Sequence, residues 1–273
     1  MSGAPAALLA SLLWGTADFL AGRASRAHPA VLVALVGQAA GLIALTLILA
    51  IRGVDAASFL PGALSGVVGS VAILAFYRAL ALGTMSVIAP IVATSAIVPV
   101  LAGVLIDGER PSALQWTGMA IALAGVTLAS REPAHTKAID AKKAIQLAIV
   151  AALFIGLALV FIGEAADHDS LGGVAAARVV GVVILGVLAW RVAARAPLKE
   201  LPKLGAIGLL DTGANTAFAI ATTGGLLSLV AVLGGLFPVV TVALAYVFLH
   251  ERLVPIQRVG VLLALAGIPL IST

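Results

Sequence analysis

Long apolar segments constrain this chain more than any other feature. Polar breaks divide it into about ten, at 5–22, 29–51, 59–82, 84–106, 112–130, 144–163, 171–192, 203–223, 226–249 and 254–271. Roughly 20 apolar residues cross a hydrocarbon core of about 30 Å. The segments are continuous runs, so they read as helices and not as the ~10-residue alternating strands of a membrane barrel. The chain is 62% hydrophobic and 10% charged, against about 45–50% and about 25% in soluble domains. So few charges cannot hide that much apolar surface, and the bilayer must be the solvent. In 273 residues, ten spans leave no room for a long soluble domain. Ala6 to Leu13 resembles a signal-peptide core, but no Lys or Arg precedes it and similar segments follow, so it reads as a retained first span.

The formal charge of +4 is that of a membrane protein with Lys and Arg in its loops. No basic stripe interleaves with aromatics, and no nucleic-acid partner is expected. Cysteine is absent, which excludes disulfides and thiolate chemistry. His28, His135, His168 and His250 fall at loops or span ends without ligand spacing, so no metal is expected. There is no phosphate loop for an ATP-driven pump and no intramembrane-hydrolase signature; no cofactor is expected.

An internal repeat carries the most information. Shifting by 142 residues takes Glu109-Arg110 onto Glu251-Arg252, Gln115 onto Gln257 and Gly118 onto Gly260. The same register pairs Ala122-Leu123-Ala124-Gly125 with Ala264-Leu265-Ala266-Gly267, Phe76 with Phe218 and Gly66 with Gly208. No gap is needed between Gly66 and Ser130. The polar stretch Arg131 to Lys143 reads as a linker, and the expected halves are 1–136 and 137–273. Each half holds five spans. An odd number reverses orientation, so the predicted fold is an all-α membrane bundle of two inverted five-helix repeats. Inverted repeats mark transporters, because near-symmetry supplies two equivalent access states.

Particular stretches then resemble a known family. These are Leu13-Trp14-Gly15-Thr16-Ala17-Asp18-Phe19 in the first span and Tyr77-Arg78-Ala79-Leu80-Ala81-Leu82-Gly83 entering the fourth. Glu109-Arg110-Pro111 and Glu251-Arg252-Leu253 each precede a Gly-rich helix containing Leu-Ala-Gly. Their order resembles the EamA-type ten-helix branch of the drug/metabolite transporter superfamily. The resemblance implies a two-half bundle with a central cavity, no ATP hydrolysis, and export of amino acids, other metabolites or toxic compounds.

Polar groups deep in a span are costly and usually pair or line water. Asp211 lies mid-way along the eighth span with Asn215 one turn on, and Thr212 and Thr216 widen the stripe. This reads as a substrate or proton site, or as an interhelical hydrogen-bond network. Arg178 in the seventh span is expected to pair with Asp211; Gln38 holds the matching, uncharged place in the second span. Trp14 and Asp18, one turn apart in the first span, and Tyr77 in the third complete the candidate substrate-binding set. Trp14 could equally be a lipid-facing anchor, and Tyr77-Arg78 an interfacial one. Pro90 and Pro99 in the fourth span and Pro238 in the ninth are candidate hinges, since proline removes a backbone donor. Glu109 and Glu251, each followed by Arg, read as helix-start or loop salt bridges.

The expected partners are the lipid bilayer and a small-molecule substrate, with energy from a proton gradient, the proton then being the coupling ion, or from the substrate gradient itself. The expected activity is a secondary transporter, an exporter of small organic metabolites such as amino acids or drug-like compounds, in the inner (plasma) membrane. A passive channel and a non-transporting assembly subunit are the alternatives. Loops on one face hold Arg23, Arg26, Arg131, Lys137, Lys142, Lys143, Arg191, Arg195, Lys199, Lys203 and Arg252, against little beyond Arg52 and Arg110 on the other. The positive-inside rule then puts both termini outside, whereas the resemblance implies both inside.

Overall fold

Helix limits follow local chemistry. The computed structural model describes residues 3–83, 88, 91–129, 139–195, 197–249 and 254–272, without the side chains of 242, 245, 246 and 249. Helix α1 (Ala4–Ala27) has Pro5 in its first turn, where a missing N–H leaves nothing unpaired. It stops at His28, extended at φ −130° and ψ 154°, because the following Pro29 disfavours the helical region. Helix α2 (Ala30–Arg52) starts directly after Pro29 and ends on Gly53 at φ +81°, a left-handed value that glycine adopts without strain.

Helix α3 (Phe59–Leu82) ends at Gly83, and its Leu82 carbonyl accepts N–H from Ile139 and Asp140. Apart from Ile88, the fourth span is described from residue 91. A 3₁₀ turn, Thr94–Ala96, precedes α4 (Ile97–Leu105), and α5 (Ala113–Ala129) follows. Helix α6 (Ala141–Arg191) runs through what sequence divides into two spans. Its only non-helical backbone is Asp169, at φ −157° and ψ 105°, so it forms two arms, 141–168 and 170–191. Helix α7 (Leu201–Thr223) is the eighth span. The ninth is split into α8 (Leu227–Gly234) and α9 (Phe237–Leu249), and α10 (Pro255–Ile271) is the tenth.

Packing uses small residues inside and large aliphatics outside. On α2, Ile43, Leu47 and Ile51 form an exposed stripe one turn apart, while Ala34, Gly37 and Gly41 are buried. In lipid the outer stripe is solvated by acyl chains, and helices associate through close van der Waals contact at small residues.

The contacts exchange between halves as a two-fold requires. A Cβ added at Gly15 would lie 2.5 Å from Val240 Cβ and 2.6 Å from the Phe237 carbonyl. One added at Gly156 would lie 2.6 Å from Val98 Cβ and 2.6 Å from the Ser95 carbonyl. These are the same contacts shifted by the repeat. Likewise Gly118 sits on Leu270 and Ile271, and Gly260 sits on Leu128 and Ala129. With five spans per half, that two-fold lies in the membrane plane, and the fold is the expected pair of inverted repeats.

The breaks in the fourth and ninth spans, at Thr94–Ala96 and at Gly235-Leu236, overlap in the repeat register, with Thr94 falling on Leu236. The prolines do not kink helix interiors there. Pro99 and Pro238 are buried within the first turn of the helix that follows each break; Pro90 lies outside the described residues.

Candidate substrate cavity

The halves enclose a central cavity with about 960 Å³ of empty space, its open mouth included. All seven candidate residues, Trp14, Asp18, Gln38, Tyr77, Arg178, Asp211 and Asn215, line it. They arrive from five helical segments. The four-residue spacing puts Trp14 and Asp18 on one face of α1, and the same spacing puts Asp211 and Asn215 on one face of α7.

Arg178, on the second arm of α6, is buried to 5% exposure. Its Nη1 donates to Gln38 Oε1 at 2.8 Å, and its Nη2 lies 2.9 Å from Asp211 Oδ2. The second contact is an ion pair whose angle falls short of a hydrogen bond, since Nη2 and Nε have no hydrogen-bond acceptor among the described residues. The expected Arg178–Asp211 pair is therefore present. Its bond to Gln38 was not legible from spacing. Gln38 and Arg178 hold corresponding places in the two repeats, so the two-fold passes between them and the halves meet through an unlike pair.

Asn215 Nδ2 donates to the Asp211 carbonyl at 2.8 Å and reaches Oδ1 at 3.4 Å. It thus stiffens the carboxylate that holds Arg178. Thr212 does not extend this stripe. It is buried against α2, where a Cβ on Gly41 would lie 1.9 Å from its Oγ1. One residue along a helix turns the side chain too far to share a face.

Asp18 differs from Asp211. It has no hydrogen-bond or ion-pair partner among the described residues, yet it lines the same cavity and interacts electrostatically with Asp211 and Tyr77. Aromatic surface lines the same cavity. Trp14 packs on Phe218 with ring centroids 5.6 Å apart, and Phe76 lies 6.0 Å from Tyr77. Trp14 therefore faces the bundle and not lipid, and Tyr77 is buried while Arg78 is exposed.

Sequence reading missed the rest of the wall. Phe76 and Phe237 are two of its members, and Ser95, Gly234 and Gly235 come from the span breaks. The register match of Phe76 with Phe218 was the one available signal. Among the described residues, no group of three or more His, Cys, Asp or Glu could hold a metal ion.

Inverted five-helix repeats around a central, mostly apolar cavity with a few converging polar groups define a membrane transporter of small molecules. The model of the EamA-like transporter family matches residues 1–131 and again 142–273, so the chain belongs to that family. A solved crystal structure aligns over 98% of this chain and 96% of its own, with TM-score 0.76 and 19% identity; at that identity it shows the fold alone. No curated protein matches the chain significantly.

Proposed function

We propose that this chain is a secondary transporter that exports small organic metabolites, amino-acid-like or drug-like, across the inner membrane. Residues 1–136 and 137–273 act as the two moving units. The observation that carries the reading is the unequal treatment of the two cavity carboxylates. Asp211 neutralises Arg178, and Gln38 holds the other end of that guanidinium. Asp18 is left without a counter-ion among the described residues. An uncompensated carboxylate inside a membrane protein is expensive. It takes up a proton or the cationic group of a substrate, and one displaces the other. The aromatic wall of Trp14, Phe76 and Phe237 supplies contact for an apolar body. Rocking of one half against the other then carries the occupied carboxylate from one face to the other, driven by a proton gradient or by the substrate's own gradient.

Counterflow in proteoliposomes tests this. Labelled amino acids and cationic drug-like compounds are first screened by thermal stabilisation of the purified protein. A stabilising compound should then show saturable uptake that is accelerated by unlabelled compound on the far side. Non-saturable flux without counterflow would mean a channel, and no flux would mean a scaffold.

A further inference from the structure

Two contacts tie the first half to the second at the face that carries both chain ends, and both use a carboxylate on a helix N-terminus. Glu109, in the loop between α4 and α5, accepts backbone N–H from Leu227 and from Ser228, the latter at 3.0 Å. These residues open α8, whose N-cap Leu226 supplies no side-chain acceptor. The first N–H groups of a helix have no intrahelical partner, and a carboxylate there also meets the positive end of the helix dipole. Glu109 is backed against its own half. A Cβ on Gly103 would lie 2.4 Å from its carboxylate oxygen.

The second contact is built the same way. Asp169 accepts from Leu171 and Gly172 N–H, each at 3.1 Å, as N-cap of the second arm of α6. From the first half, the Arg52 guanidinium and the Asp55 N–H reach the same carboxylate. Burial pushes the Asp169 carboxyl up, but the hydrogen bonds from Arg52 and the backbone N–H groups, with the Arg52 charge, outweigh it and hold it below the usual carboxylate range. A third link on this face joins Gly3 N–H to the Gly224 carbonyl, within hydrogen-bond distance at 3.3 Å.

Helix α8 is only eight residues long. Its start rests on Glu109, while Ala231 and Gly234 near its other end line the cavity. Trp14 approaches within 3.2 Å of where a Cβ on Gly234 would sit. Whatever holds the N-terminus of α8 therefore sets part of the cavity wall.

We propose that Glu109 is a positioning residue that latches α8 of the second half to the first half and so holds the terminal face of the cavity shut, with Arg52–Asp169 as its companion. The inference rests on the alternating-access reading above. Opening this face requires α8 to leave Glu109, and water then satisfies the freed N–H groups.

The chain has no cysteine, so a single Cys introduced at the cavity-lining Ala158 reports access directly. Its labelling by a membrane-impermeant maleimide is measured from each face in sealed vesicles of known orientation. In the Glu109→Ala background, labelling from the terminal face should rise ~10-fold, the scale of losing hydrogen bonds to a charged acceptor, while labelling from the opposite face falls. Glu109→Gln, which keeps one carbonyl acceptor, should give a smaller rise in the same direction and keeps the test standing if the Ala variant does not fold. Unchanged terminal-face labelling in a folded variant would overturn the latch, as would an equal rise at both faces, which is general loosening. Labelling needs no substrate, so failure of the counterflow experiment and failure of the latch are separate results.

Discussion

At the scale of single residues, the cavity sorts its charges by whether each has a partner. Arg178 could not be buried alone, and Asp211 with Gln38 makes its burial tolerable. Removing one member of a buried pair leaves an uncompensated charge, which costs roughly 3 kcal/mol or more. Asp211→Asn should therefore lower the melting temperature clearly while the surviving folded protein still exchanges substrate. Asp18→Asn should do the opposite, leaving the melting temperature within a few degrees and abolishing transport or its pH dependence. Paired melting and proteoliposome flux measurements on the two variants check this. Normal flux with a normal pH profile in a folded Asp18→Asn protein would remove Asp18 from the mechanism.

At the scale of elements, the bundle is assembled through backbones that nearly touch. Among the tightest crossings of the described residues is α2 against α7, where a Cβ on Gly208 would lie 2.1 Å from both the Cα and the carbonyl oxygen of Gly37. Neither neighbour is a flexible side chain that could move aside. Overpacking of this kind costs about 1–3 kcal/mol, and here it would also push apart the helices that carry Gln38 and Asp211. Gly208→Val should lower the melting temperature and weaken transport together. Gly186→Val is the control, since a Cβ at Gly186 would meet nothing nearer than Leu35 Cδ1 at 4.0 Å, and it should change little. Equal effects of the two substitutions would show that the α2–α7 crossing is not a critical contact.

At the scale of the molecule, ten spans in two inverted halves place Lys and Arg unevenly between the faces. The face opposite the termini holds Lys142, Lys143, Arg191, Arg195, Lys199 and Lys203. On the terminal face, Arg52 is already paired with Asp169. The positive-inside rule counts such loop charges and orients the termini outward. A cysteine at Lys199 should then resist membrane-impermeant labels in intact cells, and one at the exposed Val54 should react. The reverse pattern would show that both termini are inside, as the family resemblance implies.

Apolar segment length alone determined the number of spans. The repeat register with an odd span count determined the inverted relation of the halves. The cost of polar groups in hydrocarbon pointed Asp18, Gln38, Arg178, Asp211 and Asn215 inward, whereas Trp14 and Tyr77 read equally as anchors, and all of them line one cavity. Segment length, repeat register and the polarity of single residues are all properties of the linear chain.

Partner choice is different, because it depends on which helices meet and at what height. Glu109 read as a helix-start or loop salt bridge, and the helix whose start it caps lies 118 residues away. The boundary between the sixth and seventh spans read as a polar break, and a single extended residue, Asp169, makes that whole turn and caps the arm that follows. Thr212 read as part of a polar stripe, yet α2 occupies that face. In each case the tertiary structure decided because unsatisfied helix ends and buried charges take whichever partner the packing delivers, and packing across the two-fold leaves no local trace in the chain.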